Sequence, residues 1–265
     1  MEIFGYFASV IIGVLLGLIG GGGSILTMPV LVYLFGIMPV TATAYSLFIV
    51  GISSLIGSIN YVKQGMVSLK TAIVFGIPSI ITVFLTRKFI VPAIPAIVFS
   101  NPQFIISKDV FLLLLFGILM LIASVSMLKK AKDSSNNHFD NPQFNYLIIL
   151  LEGTFVGVLT GLVGAGGGFL IIPALVMLSK LPFKQAIGTS LLIIAAKSLI
   201  GFVGELHSFA SFDWSLLIVI TVLAILGIFM GIYLSKFVNS EKLKPGFGIF
   251  TLIIGIAMII KELYF

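Results

Sequence analysis

The stretch from Gly13 to Pro29 reads Gly-Val-Leu-Leu-Gly-Leu-Ile-Gly-Gly-Gly-Gly-Ser-Ile-Leu-Thr-Met-Pro and places four consecutive glycines in an apolar run. A second copy, from Gly157 to Pro173, reads Gly-Val-Leu-Thr-Gly-Leu-Val-Gly-Ala-Gly-Gly-Gly-Phe-Leu-Ile-Ile-Pro and aligns with the first without a gap. The similarity extends over positions 13–57 and 157–201, where about 20 of 45 residues are identical. Such similarity at a fixed offset indicates an internal duplication.

The composition of the chain is that of a membrane protein. Hydrophobic residues make up 59% of the 265 residues and charged residues 9%, whereas about a quarter of the residues in soluble domains are charged. Several uncharged stretches approach the roughly 20 residues that a spanning helix needs, which predicts an all-α polytopic membrane protein. The net charge of +6 comes mostly from lysines between the apolar runs, which are orientation signals rather than a nucleic-acid surface.

The polar stretch 129–145 divides the chain into a first repeat, 1–128, and a second repeat, 146–265. Each repeat begins with a glycine-broken segment that is too long for one span and too short for two, which predicts a broken helix or a re-entrant hairpin. Residues 87–108 contain three prolines and are predicted to form an interfacial loop. Three spanning helices are predicted in each repeat, at about 42–62, 69–86 and 109–128 and at about 185–204, 214–235 and 246–263.

The relative orientation of the repeats depends on how the glycine-broken segments are counted. If each segment is one crossing, the repeats are parallel and the basic residues divide six against eight between the two sides of the membrane. If each segment is a pair of partial passes, the repeats are inverted and ten basic residues oppose four. The second count gives a positive-inside bias, so we prefer inverted repeats with both termini outside.

In the inverted arrangement the two glycine tips meet near the middle of the membrane, which is the predicted substrate site. Helices that begin there present N–H groups and a positive dipole end to an anion, and glycine lets a ligand approach the backbone. The alternative is that these glycines only permit close helix packing. The candidate positions are Gly20, Gly22, Gly23 and Ser24 in the first repeat and Gly164, Gly166, Gly167 and Gly168 in the second.

Lys197 is the strongest side-chain candidate, because it lies in the middle of a predicted spanning helix, beside Ser198 and at the position that matches Ser53. A lysine so far from both helix ends indicates an anion-binding or gating role, or else a structural pair with a helix C-terminus or with Glu152 or Glu205. Polar residues after each glycine-broken segment are either helix caps or further donors to an anion: Thr41, Thr43, Ser46, Gln185, Thr189 and Ser190.

Glu152 is the only carboxylate well inside an apolar run, which makes it a candidate carrier of a coupling proton. Its alternatives are a position near the interface or a pair with Lys197. Glu205 and His207 follow a predicted helix end, where an interfacial role is expected. The apolar segments carry neither a metal-ligand cluster nor a Ser, His and acid set, so no enzyme, metal site or cofactor is expected.

The doubled Gly-Leu-Ile/Val-Gly-Ala/Gly-Gly-Gly…Pro motif, the Ala-Ile-Gly-Thr-Ser stretch at 186–190 and the chain length resemble the TauE/SafE sulfite exporter family. The resemblance implies a multi-pass permease of the cytoplasmic membrane that moves small sulfur-containing anions, such as sulfite or an organosulfonate, driven by an ion gradient. One departure is Tyr45, which stands where the second repeat has Thr189. The signature falls on Gly20, Gly22, Gly23, Pro29, Gly164, Gly166, Gly167, Pro173, Thr189 and Ser190.

The residues and the resemblance together predict a secondary transporter that alternates access around a midplane site between the two glycine breaks. An anion channel and a permease for a small carboxylate are the alternatives. The expected partners are a small anionic substrate, a coupling ion with H+ as the candidate, and the lipid bilayer. A homodimer is compatible with the sequence.

Overall fold

A computed structural model of the chain describes residues 2–101, 104–128, 146–163, 167–177, 181–204, 212–237 and 240–264. Within these ranges the chain forms helices and one two-stranded antiparallel sheet, and the polar linker 129–145 lies outside them. The strands are β1 (Ile97–Asn101) and β2 (Phe104–Ser107). The helices are α1 (Glu2–Ile19), α2 (Ser24–Tyr33), α3 (Pro39–Lys63), α4 (Leu69–Leu85), α5 (Val91–Ala93), α6 (Lys108–Leu128), α7 (Tyr146–Val163), α8 (Gly168–Met177), α9 (Phe183–Val203), α10 (Trp214–Leu234) and α11 (Ser240–Tyr264).

Six of the described helical segments are long and apolar enough to cross a membrane: α3, α4 with its continuation to Ala93, α6, α7, α9 and α10. The first stretch, Ile3–Ile19, and α2 are apolar but shorter. Helices also occupy the three positions that were expected in each repeat. The prediction of a helical, multi-pass membrane protein is therefore confirmed.

Both glycine-rich stretches interrupt a helix. Between α1 and α2, Gly20 has a φ of 78°, and immediately before α8, Gly167 has a φ of 69°. A positive φ is a left-handed backbone conformation that ends an α-helix, and glycine adopts it without the steric cost that other residues incur. The helix breaks are thus a direct consequence of the duplicated glycines.

The most extensive helix pairs each join one repeat to the other. α1 packs along α10, where a Cβ on Gly13 or on Gly231 would overlap the backbone of the partner helix. α7 packs along α4 through Gly153, Gly157 and Gly161. α6 pairs with α11, and α3 pairs with α9. Because small residues let helix backbones approach closely in membranes, the glycines interlock the two repeats.

Contacts near the helix ends identify which ends lie together. Phe35, just after α2, contacts Gly5 near the start of α1, and its ring centroid is 5.3 Å from that of Tyr6. At the turn between α3 and α4, the backbone N–H of Ser68 donates to Thr189 Oγ1 near the start of α9, at 2.9 Å. The Nζ atom of Lys70 lies 4.9 Å from the ring centroid of Tyr146, the first residue of α7. The beginnings of α4, α7 and α9 are therefore neighbours.

The prediction that residues 87–108 form a loop is wrong. The chain continues past α4 through a π-helical turn, Thr86–Ile90, and then through α5, before β1 and β2 pair as an antiparallel hairpin. Pro92 lies directly after the π-helical turn, and the helical backbone continues through it to Ala93. The prolines therefore did not end the helix where the sequence suggested, and Arg87 is inside the fold.

Candidate functional site

The two helix interruptions are in direct contact with each other. A Cβ placed on Gly21 would overlap the Cα of Gly168, and a Cβ placed on Gly168 would overlap the Cα of Gly21. Both residues are buried. Only hydrogen fits between the two backbones, so the glycines at these positions are required by a close approach and not only by local helix geometry.

The start of α2 is organised by its own polar groups. Ser24 is buried, and its hydroxyl donates to the carbonyl oxygen of Gly21 at 2.6 Å. Gly23 packs against α1, where a Cβ would overlap the carbonyl oxygen of Ile12. In the first turns, the N–H of Ser24 donates to the carbonyl oxygen of Gly21 at 3.2 Å, and that of Leu170 donates to the carbonyl oxygen of Gly167 at 3.0 Å. The positive dipole ends of α2 and α8 still lie at the Gly21 and Gly168 contact.

Lys197 lies beside the second interruption. Its side chain is 1% exposed, and its Nζ atom donates to Thr160 Oγ1, in the last turn of α7, at 3.0 Å. A Cβ on Gly167 would lie 2.6 Å from the same Nζ atom. Burying an ammonium group is costly unless its charge is compensated. The ammonium is thus held between the C-terminal end of α7 and the backbone that leads into α8.

Of the six buried hydroxyl oxygens that have no hydrogen-bond partner among the described residues, four belong to two neighbouring helices: Ser46, Ser53, Ser54 and Ser198. They lie on α3 and α9, which run antiparallel, with Gly51 against Leu199 and Gly57 near Leu191. This register puts Ser53 level with Lys197. A buried polar group without a partner costs about 1–3 kcal/mol, and such groups in native proteins commonly serve water or a ligand.

Two of the predicted hydroxyls are committed to local contacts. Ser190 Oγ donates to the carbonyl oxygen of Ile187 at 2.8 Å, and it lies beside the first interruption, 2.8 Å from where a Cβ on Gly20 would be. Thr189 Oγ1 instead accepts from Ser68 at the turn between α3 and α4. Ser190 therefore adjoins the first interruption, whereas Thr189 binds the turn between α3 and α4.

The remaining predicted positions are less central or lie outside the described residues. Glu152 is half-buried on α7, and its Oε2 atom has no partner among the described residues. It lies eight residues before Thr160, which is about 12 Å along the helix axis, so it is not beside Lys197. Gly22 is buried within the first interruption. Gly164, Gly166, Glu205 and His207 fall outside the described residues.

Sequence reasoning missed Arg87. The side chain is 1% exposed, and its Nη2 atom donates to Thr43 Oγ1 at 2.7 Å, while its Nη1 atom lies 3.5 Å from the carbonyl oxygen of Gly161. The repeat-equivalent carbonyl, that of Gly17, accepts from the hydroxyl of Tyr61 at 3.1 Å. The duplicated glycines mark these two carbonyls in the sequence. The side chains that approach them, Arg87 and Tyr61, lie outside the repeated motif, which is why the motif did not identify Arg87.

The arrangement can bind a small anion without a metal. It offers helix N-terminal N–H groups, one buried ammonium and several buried hydroxyls, all of which donate hydrogen bonds. Among the described residues no group of three or more His, Cys, Asp or Glu side chains is close enough to hold a metal ion. An anion that accepts several hydrogen bonds complements these donors.

The spanning helices and the buried polar centre at their interruptions define a multi-pass cell-membrane protein of the transporter class. The chain belongs to the TauE/SafE sulfite exporter family, because the family model "Sulfite exporter TauE/SafE" matches residues 6–258. The family resemblance inferred from the glycine motifs is thus confirmed.

Named relatives agree with this assignment. A "Probable membrane transporter protein" of Xylella fastidiosa is 30% identical over 260 residues, which cover 94% of this chain and 91% of the relative. A "Probable membrane transporter protein" of Methanocaldococcus jannaschii is 32% identical over 201 residues, 74% of this chain and 69% of the relative. "Probable membrane transporter protein YunE" of Bacillus subtilis is 25% identical, with 96% and 97% covered. No solved structure matches the chain. The names indicate a transporter rather than an enzyme.

Proposed function

We propose that this protein is a secondary transporter for a small sulfur-containing anion, with sulfite and organosulfonates as the substrate class. The observation that carries the proposal is the position of Lys197, whose buried Nζ atom adjoins Gly167 next to the contact between Gly21 and Gly168. A sulfite or sulfonate group presents three oxygen atoms to surrounding donors. The family name supports the same substrate class.

In this proposal the anion binds between the two helix interruptions. The first turns of α2 and α8 supply the positive ends of their helix dipoles, and Lys197 supplies the compensating charge. The hydroxyls of Ser46, Ser53 and Ser198, which have no partner among the described residues, donate to the remaining oxygen atoms. Binding thus relieves the cost of burying these hydroxyls and the ammonium.

The two halves are proposed to be inverted repeats, each with a re-entrant hairpin and three spanning helices. The contact of Phe35 with Gly5 supports a first hairpin, α1 and α2, that begins and ends on one side. The neighbouring starts of α7 and α9 support a second hairpin, α7 and α8, on the opposite side. With ten basic residues on the second side and four on the first, both termini face outward.

Alternating access in this fold would move helix groups drawn from both repeats. The interlocked packing of α1 with α10 and of α7 with α4 supports groups that each carry one interruption, rather than two halves that rock as separate bodies. Relative movement of the groups would open the Gly21 and Gly168 contact to one side of the membrane at a time. The coupling ion is proposed to be H+, with Glu152 as its carrier on α7.

Uptake by proteoliposomes tests the proposal. Sulfite, a sulfonate and a small carboxylate are offered to vesicles that contain the wild type, Lys197→Met, or Lys184→Met. Lys184 is a matched control because it loses the same charge on the same helix but is exposed. We expect saturable, gradient-dependent uptake of sulfite or the sulfonate by the wild type and Lys184→Met, and its loss in Lys197→Met.

Other outcomes of the same experiment would change the assignment. Preference for the carboxylate would assign a carboxylate permease. Flux that neither saturates nor responds to an ion gradient would assign an anion channel. Equal uptake by Lys197→Met and the wild type would contradict the binding site.

A further inference from the structure

A π-helical turn aims Arg87 into the protein. After α4 the backbone N–H of Val91 bonds to the carbonyl oxygen of Thr86, five residues back, which defines the turn Thr86–Ile90. Leu85, Phe89 and Ile90 are 44%, 57% and 44% exposed, whereas Thr86 and Arg87 are each 1% exposed. Lys88 is also exposed, so the wider turn directs Thr86 and Arg87 inward while its other residues face outward. Single π-helical turns occur frequently at functional sites.

Arg87 connects three helices of both repeats. It extends from the end of α4, donates to Thr43 near the start of α3 at 2.7 Å, and approaches the carbonyl oxygen of Gly161 on α7 to 3.5 Å. Thr43 Oγ1 in turn donates to the carbonyl oxygen of Val40 at 2.6 Å. A guanidinium can address several acceptors at fixed angles, and a cation is favourable at a helix C-terminus.

The end of α7 that Arg87 approaches is also the end that holds Lys197. Gly161, whose carbonyl faces Arg87, follows Thr160, whose hydroxyl accepts from Lys197 at 3.0 Å. The first repeat holds the equivalent carbonyl, that of Gly17, by the hydroxyl of Tyr61. In both repeats, a side chain therefore holds a backbone carbonyl about one turn before the glycine break. In the first repeat it is the neutral Tyr61, and in the second it is the charged Arg87.

We infer that Arg87 is a positioning residue for the anion site. By holding the last turn of α7 against α3, it keeps Thr160 where it orients the ammonium of Lys197. The expected effect of Arg87 on anion affinity rests on the proposed function. The expected effect of Arg87 on the order of α7 does not depend on any substrate. Arg87 does not contact the anion in this account and acts through Lys197.

The test is a double-mutant cycle with sulfite as the probe. Half-saturating sulfite concentrations for uptake are compared for the wild type, Arg87→Met, Thr160→Val and the double variant, with Arg87→Lys as the conservative change. Thr160→Val removes the acceptor of Lys197 but leaves the lysine in place, so uptake remains measurable. We expect Arg87→Met to raise the half-saturating concentration about tenfold, which lies within the range of coupling between interacting residues, and Arg87→Lys to give an intermediate value. In the Thr160→Val background the same change should have less than about a twofold effect, because the group that Arg87 positions is already lost.

Hydrogen exchange of the purified proteins provides the substrate-independent readout. Arg87→Met should accelerate amide exchange in residues 157–163, whereas Lys88→Met, an adjacent and exposed control, should not. Independent, multiplicative effects of the Arg87 and Thr160 changes, or unchanged exchange in 157–163, would overturn the inference. A wild type that transports neither sulfite nor a sulfonate would refute the proposed function, and the exchange result would still decide whether Arg87 fixes α7.

Discussion

Replacing Gly168 with alanine tests whether the contact between the two helix interruptions matters. Gly168 is the first residue of α8, so alanine would favour the helix by up to about 1 kcal/mol. The added methyl would overlap the Cα of Gly21 and lie 2.6 Å from Cδ1 of Ile194, whereas carbon atoms pack at about 3.5–4.0 Å. The backbones would have to separate by about 1.5 Å to restore that spacing. Because overpacking costs about 1–3 kcal/mol, the steric effect outweighs the gain.

Thermal unfolding in detergent and uptake by proteoliposomes measure the two consequences. The matched control is Gly76→Ala, because Gly76 is also buried and helical but the nearest atom to its added methyl would be Cγ1 of Ile193, at 3.8 Å. We expect Gly168→Ala to unfold at a lower temperature and to lose most anion uptake. Gly76→Ala should unfold at the wild-type temperature or slightly above it and transport normally. Equal stability and equal uptake of the two variants would refute the reasoning.

The other predictions concern side chains around the same contact. Ser53→Ala should leave stability unchanged or raise it by about 1 kcal/mol, because it removes a buried hydroxyl without a described partner. The same change should weaken anion uptake. A large loss of stability in thermal unfolding would contradict this. Thr160→Val should raise the half-saturating anion concentration, because Lys197 loses its acceptor, and unchanged uptake kinetics would show that the bond does not orient the lysine. Glu152→Gln should abolish proton-driven accumulation of the anion while leaving anion exchange intact. Uptake with and without a pH gradient measures the difference. Proton-driven accumulation at the wild-type level would exclude Glu152 as the proton carrier.

The helical framework was predictable because it follows from local sequence. Apolar length identifies the spanning segments, and the doubled glycines identify both interruptions, where Gly20 and Gly167 adopt positive φ. That Lys197 is buried inside the protein also follows from its distance to both helix ends. Each of these inferences depends on a short stretch of chain or on one internal alignment. None of them requires knowledge of which helices are neighbours.

The parts that could not be predicted depend on packing between distant segments. Nothing in the apolar pattern indicates that α1 pairs with α10 and α7 with α4, because all of these helices are apolar on most faces. The π-helical turn that buries Arg87 could not be predicted for a related reason. A basic pair followed by proline is typical of a helix end at the membrane interface, but here the helical backbone continues past Pro92. Thr189 is a second example. Its position in the repeat predicts a substrate-binding residue, but its hydroxyl accepts a hydrogen bond from the turn between α3 and α4.

Anion-dependent thermal stabilisation of the purified protein tests the central claim most directly. A ligand that binds only the folded state stabilises it by about 2.7 kcal/mol at a concentration 100 times its dissociation constant. We predict that sulfite or a sulfonate raises the unfolding temperature of the wild type and of Lys184→Met in a concentration-dependent way, and does not raise that of Lys197→Met. No stabilisation of the wild type by any of these anions, or equal stabilisation of Lys197→Met, would contradict an anion site at the paired helix interruptions.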